Sequence, residues 1–241
     1  MTAAFLVIGN EILTGKVREA NVYELARVLQ SIGLSLERVV VIPDELDTIA
    51  AETAYLAKRF DHVFTSGGVG PTHDDETIAG IAAAFGVPVV QDAELSALLR
   101  EHYGERLHEN HLILANLPQG SRKLFIARSP WPLIVIENVF ILPGLPEIFR
   151  AKLDIVRDHL AGGAPFVSRA VFTKMDEAVL KPLLDRIVAD HPRVRLGSYP
   201  RWNDPKYETK ITFDGKDQLA VERAVAAFLL LLPEGEPQWT E

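Results

Sequence analysis

Cysteine is absent from all 241 residues, so neither disulfide bonds nor thiolate metal sites can form. No apolar run reaches the ~18 residues that a membrane-spanning helix needs. The amino terminus lacks the basic region of a secretory signal and goes straight into a strand pattern, so the chain is expected to be cytoplasmic, with no membrane partner. Positive charge is in deficit, with 25 Lys and Arg against 33 Asp and Glu and a net charge of −8. That balance argues against nucleic acid as a main partner. A single nucleotide, which needs only local donors and a cation, stays open.

The composition that remains, 48% hydrophobic and 24% charged, is that of an ordinary globule. The length suits one large domain, or one with a small companion. The stretch Ser66-Gly67-Gly68-Val69-Gly70-Pro71-Thr72-His73-Asp74-Asp75-Glu76-Thr77 organises the reading. It follows the apolar run His62–Thr65 and precedes an amphipathic run with apolar residues at 78, 81, 82 and 85. This is a strand, a glycine-rich turn and a helix start. Glycine lets the backbone approach a ligand closely, and N–H groups at a loop–helix junction form an anion site. Asp74 and Asp75 beside such a site are reconciled by a divalent cation, which binds phosphate and carboxylate oxygens alike. The plain alternative is a tight turn whose Asp caps the following helix.

The first half alternates strand and helix. Phe5–Ile8 is a buried strand, followed by Gly9-Asn10-Glu11-Ile12-Leu13-Thr14-Gly15-Lys16. This is not a P-loop: five residues separate the glycines and Val17 replaces the required hydroxyl residue. Asn21 is expected to cap a helix ending at Gly33. Val39–Ile42 is the second strand, leading to Pro43-Asp44-Glu45, and Asp47 or Thr48 should cap the next helix. The helix from about Thr77 should stop at Gly86. The βαβαβα order predicts a parallel sheet with its loops on one carboxyl edge. Next come a short extended piece at 87–90, a helix over about 93–103 and a loop from Gly104 to about Leu117. His108 and His111 in that loop read as surface or capping residues rather than metal ligands. Leu133–Ile136 and Val139–Leu142 suit a hairpin about Glu137-Asn138. Pro143-Gly144-Leu145-Pro146-Glu147 then leads into another helix, with Pro146 at its first turn. Ala161–Pro165 reads as a linker, dividing the chain into a nucleotide-binding domain over 1–162 and a small α+β domain over 163–241. In the tail the expected order is strand, helix, strand, strand, helix. Pro182 should split or kink the first helix, and Leu196–Pro200 is a turn that could face a ligand.

Gly9–Gly15, Asn21, Asp44, Gly67–Thr77 and Leu142–Glu147 together resemble the molybdopterin-binding-like (MoaB/MogA-like) domain of the CinA family. The match runs through roughly the first 160 residues. It extends furthest, through Ile42–Glu45 and Leu196–Pro200, for the amino-terminal domain of eukaryotic FAD synthase. It does not include the FAD synthase catalytic domain or the carboxy-terminal deamidase of CinA. The resemblance implies a three-layer, mostly parallel α/β fold, a nucleotide or pterin ligand and a homo-oligomer, either dimer or trimer. It further implies a metal-dependent pyrophosphatase acting on FAD or ADP-ribose, using Mg, Mn or Co. A molybdopterin adenylyltransferase and a non-catalytic flavin- or pterin-nucleotide module are the alternatives. By motif position the catalytic aspartates fall on Asp44 and Asp75, with Asp74 and Asp75 as metal ligands. Ligand contacts are expected from Gly9, Asn10, Glu11, Gly15, Asn21, Ser66, Gly67, Gly68, Gly70, Thr72, Thr77, Pro143, Gly144 and Glu147. The usual Gly-Asp-Glu of the family reads Gly9-Asn10-Glu11 here, so the charge at position 10 is lost and an acceptor oxygen kept.

Overall fold

The computed structural model describes residues 1–127, 129–161 and 163–241, in two compact units, Met1–Gly163 and Ala164–Glu241. Gly162, in the expected linker and at the expected domain boundary, lies outside the described residues.

In the first unit, β1 (Thr2–Ile8), α1 (Asn10–Leu13), α2 (Asn21–Ser31), β2 (Ser35–Ile42), α3 (Leu46–Ala57), β3 (His62–Ser66) and α4 (Thr77–Phe85) follow in order. Then come β4 (Val89–Gln91), α5 (Ala93–Tyr103), two short 3-10 segments, β5 (Asn116–Pro118), β6 (Arg122–Ile126), β7 (Ser129–Ile136), β8 (Val139–Leu142) and α6 (Pro146–Leu160). The main sheet has the order β2-β1-β3-β8-β7-β6. β2, β1, β3 and β8 are mutually parallel, while β7 is antiparallel to β8 and β6 antiparallel to β7. β4 and β5 form a separate antiparallel pair.

The near-total burial of β1 follows from its continuous apolar run, whose alternate residues feed two cores. Phe5 and Val7 pack with Leu25 and Leu29 of α2 and Phe149 and Leu153 of α6. Leu6 and Ile8 pack on the other face with Ile49 and Leu56 of α3 and Ile81 of α4. Each such buried side chain contributes roughly 1.5–3 kcal/mol of transfer free energy. The result is helix, sheet, helix, a three-layer α/β unit.

Several local expectations are corrected. Asn21 does not cap α2: the N-cap is Ala20, and Glu19 Oε1 accepts the Val22 N–H at 2.7 Å. Neither Asp47 nor Thr48 caps α3, whose N-cap is Glu45. The loop after Gly104 holds 3-10 segments at Gly104–Arg106 and Glu109–Ala115, and His108 and His111 cap the second through their Nδ1 atoms. β6 carries no strict alternation and gave no sequence signal.

The second unit contains β9 (Val167–Thr173), α7 (Glu177–Asp190), β10 (Arg195–Pro200), β11 (Thr209–Gly215), α8 (Gln218–Leu229) and β12 (Trp239–Thr240). Its antiparallel sheet has the order β10-β11-β9-β12, and its core gathers Val171, Leu180, Ile211, Phe213 and Phe228. α7 runs through Pro182 as one helix. Leu196–Pro200 is not a turn but lies in β10, paired along its length with β11. A Cβ on Gly197 would stand 2.8 Å from the Tyr199 ring, so glycine there makes room for the tyrosine.

Candidate functional site

The registers Ile8↔Ile42, Val7↔Ser66 and Ser66↔Leu142 bring four carboxyl strand ends into line. The segments that leave them, beginning at Gly9, Pro43, Gly67 and Pro143, therefore share one edge of the sheet. This is where parallel α/β sheets open a ligand crevice.

The glycine loop is packed backbone to backbone. Gly67 and Gly68 have φ of +105° and +61°, a region costly to other residues. A Cβ on Gly67 would strike the Ile8 carbonyl, and one on Gly144 would lie 3.3 Å from the Gly67 Cα. Thr77 is fully buried; its hydroxyl donates to the Gly67 carbonyl at 2.8 Å and its N–H to that of Gly68 at 3.0 Å. Thr77 is thus committed to holding the loop and does not present a hydroxyl to a ligand.

Asn21 joins two of the strand ends. It is 3% exposed, and its Nδ2 donates to Ser66 Oγ and to the Gly144 carbonyl, both at 2.9 Å. Ser66, also buried, has its hydroxyl 3.4 Å from the Pro143 carbonyl. Among the described residues, the buried Asn21 Oδ1 has no hydrogen-bond partner.

The carboxylates divide by environment. Asp44 is half-buried; its Oδ2 accepts the Asn10 N–H at 2.7 Å, while its Oδ1 faces the glycine loop, 3.5 Å from where a Gly68 Cβ would stand. The Asp75 carboxylate is spread over its own loop: Oδ1 accepts the Gly70 N–H at 2.7 Å and Oδ2 the Thr72 N–H at 2.8 Å. Asp75 therefore caps loop amides and not the helix, since the N-cap of α4 is Glu76 with no side-chain bond. The Thr72 hydroxyl lies 2.6 Å from Asp74 Oδ1 and 2.5 Å from Asp75 Oδ2. That hydroxyl holds the exposed Asp74 below the usual carboxylate range.

Glu11 curls back over Gly9: a Cβ there would come 2.5 Å from its carboxylate. Gly15 is exposed in open space, and Glu147 is an exposed partner of Arg150 at 4.0 Å.

Among the described residues, no group of three or more His, Asp or Glu is arranged to hold a metal ion by itself. Magnesium-type ions are commonly bound through one or two carboxylates together with phosphate oxygens of the substrate. Asp44, with its Oδ1 turned toward the glycine loop, offers a donor of that kind, while Asp74 is an exposed carboxylate whose Oδ1 is bonded to the Thr72 hydroxyl.

Next to the loop lies a cavity of about 540 Å³, bordered by Gly70, Asp75 and Pro143 and walled by Leu95, Leu99 and Ile134. Lys152 of α6 lines it; its Nζ donates to the backbone carbonyls of Trp131 at 2.7 Å and Pro132 at 2.5 Å. Burial pushes its ammonium down to about 8. Nothing in the sequence singled out Lys152, which occupies an ordinary polar position in an amphipathic helix.

Residues 4–161 match the family described as probable molybdopterin binding domain, and residues 165–240 match the FAD synthase middle domain. A probable FAD synthase of Caenorhabditis elegans is 31% identical over 96% of this chain, which spans only 50% of that relative. A protein of Archaeoglobus fulgidus is 30% identical, with 96% of this chain and 98% of the other covered. The crystal structure of the protein CinA from Thermoplasma acidophilum, described as of unknown function, is 30% identical with a TM-score of 0.61, covering 67% of this chain and all of that one. This chain belongs to the probable molybdopterin binding domain family.

Proposed function

We propose that the first unit hydrolyses the pyrophosphate linkage of a nucleotide of FAD or ADP-ribose type, with a divalent metal of the Mg, Mn or Co kind. The observation that carries this reading is the placement of Asp44. One of its oxygens is fixed by the Asn10 N–H, and the other is left toward the glycine loop. A carboxylate facing a phosphate cradle is repulsive unless a cation intervenes.

In this reading Gly67, Gly68 and Gly70 supply the close backbone approach to phosphate. Asp75 holds the Gly70 and Thr72 amides in their loop positions. Asp44 and Asp74 would hold the ion, which when bound polarises phosphorus and neutralises the leaving phosphate. Asp44 would also orient the attacking water and take its proton. Homo-oligomerisation is part of the proposal, to be read by light scattering. The relatives named FAD synthase favour a flavin nucleotide over a pterin, although this chain spans half their length.

The test is product analysis of the purified protein with FAD, ADP-ribose and NADH in Mg²⁺, Mn²⁺ or Co²⁺. FMN plus AMP from FAD is the expected outcome. Binding without product would favour a non-catalytic module, consistent with the neutral Asn10. Adenylylation of molybdopterin would favour the transferase.

A further inference from the structure

We propose that the cavity beside the glycine loop is a subsite for the flat heteroaromatic end of the ligand, a flavin or adenine ring. The inference rests on the phosphate-site reading above, which it extends by assigning where the non-phosphate part sits.

Three observations carry it. The first is continuity: Gly70, Asp75 and Pro143 border both the loop and the cavity, so a group joined to a loop-bound phosphate reaches it directly. The second is the composition of the walls. Leu95 and Leu99 from α5 and Ile134 from β7 make an apolar enclosure, while Trp131 and Tyr103 add aromatic surface. The volume lies within the roughly 300–1,000 Å³ of small-molecule sites, which pair apolar walls with a few placed polar groups. Tyr103 is held by stacking on His111 at 3.9 Å and 5°, and Trp131 by an edge contact from His102 at 5.3 Å. The third is Lys152. An ammonium has three donors, and two are fixed on the Trp131 and Pro132 carbonyls. The third remains for an acceptor in the cavity, such as a ring nitrogen or carbonyl oxygen. A purely aliphatic guest would leave it unmet, and a buried unmet donor is costly.

Riboflavin and adenosine are the probes, because neither contains a phosphate and neither depends on turnover. Titration of the full chain, followed by calorimetry and by quenching of riboflavin fluorescence, is compared for wild type, Ala79→Phe and Lys152→Met. Ala79 of α4 lines the cavity, so the first variant puts a ring into it; the second keeps most of the side-chain volume and removes the donor. Thermal melts establish that each is folded. Saturable binding of either ring, weakened ~10-fold or more by either variant, is the expected result. The ring that binds identifies which end of a dinucleotide the cavity takes. Failure of both rings to bind below about 1 mM, or binding that both variants leave unchanged, overturns the subsite. Such failure is separable from failure of the hydrolase reading, which the FAD product assay decides alone.

Discussion

Asp75 spans the loop that carries it, with one carboxylate oxygen on the Gly70 N–H at 2.7 Å and the other on the Thr72 N–H at 2.8 Å. A single side chain thus takes up two of the loop's N–H donors and fixes the shape of the loop. The sequence offered Asp75 either as a helix cap or as a metal ligand. Its position is that of a loop organiser, five residues from one partner and three from the other.

Asp75→Asn can accept only one of these two N–H groups with its remaining oxygen. The amide nitrogen then faces a second donor. The expected loss is about 1 kcal/mol, a fall of roughly 2–4 °C in melting temperature for a protein of this size. Pyrophosphatase activity should fall at least ~100-fold because the loop loses the shape that seats the phosphate. Melting curves and initial rates check both. A variant with wild-type rate would mean that the shape of this loop does not bear on the reacting phosphate.

Asn21→Ala is expected to destabilise by about 1–3 kcal/mol, since it strands the buried Ser66 and Gly144 acceptors that Nδ2 now serves. Asn21→Asp should be worse than Ala at neutral pH, because a carboxylate oxygen would face the Gly144 carbonyl. Chemical denaturation of the three proteins measures the order. An Ala variant as stable as wild type would show that the link between β3 and β8 is dispensable.

Lys152 is predicted to make stability depend on pH in an identifiable window. Burial lowers it from 10.5 to about 8, so between those values the unfolded chain holds a proton that the folded chain has lost. The unfolded state binds more protons there, and stability contributed by this group rises as pH increases through about 8 toward 10.5. Asp75, His102 and Tyr103 line the same cavity and remain in both proteins. The stability difference between Lys152→Met and wild type should therefore shift in favour of wild type as pH rises from about 8 toward 10.5, on top of a pH-independent cost to the variant from the stranded Trp131 and Pro132 carbonyls. Urea midpoints across the window check this; a gap constant with pH would contradict it.

Much of the fold was legible because the periodicities were strong. α5 and the Pro146 start of α6 stand where the apolar spacing and the proline put them. The parallel order followed from continuous apolar runs separated by amphipathic helices. Local polar roles were harder to read. Asn21 and Thr77 both have the character of capping or ligand residues, but long-range packing buries them and spends their polar groups on the loops. Leu196–Pro200 has turn-like composition, yet pairing with β11 makes it a strand. The cavity could not be read at all, because its walls come from α4, α5, β7 and α6, separated by up to some seventy positions whose convergence is a tertiary fact.

Asp44 carries the functional proposal most directly. Asp44→Asn keeps an oxygen for the Asn10 N–H, so the anchor between the β1 and β2 ends can persist and stability should change by less than about 1 kcal/mol. What disappears is the charge beside Gly68. If that charge holds a cation against phosphate, turnover should fall ~100-fold or more, and Mn²⁺ affinity measured by calorimetry should fall with it. Asn10→Asp makes the opposite change by adding a carboxylate next to Asp44. Position 10 is exposed at the start of α1, and its backbone already rests on the Asp44 carboxylate. The added charge should tighten Mn²⁺ binding in the presence of nucleotide and, in the hydrolase reading, raise the rate at low metal concentration. Should Asp44→Asn retain full activity and metal affinity, the carboxylate is only a backbone anchor, and the metal-dependent reading of this crevice fails.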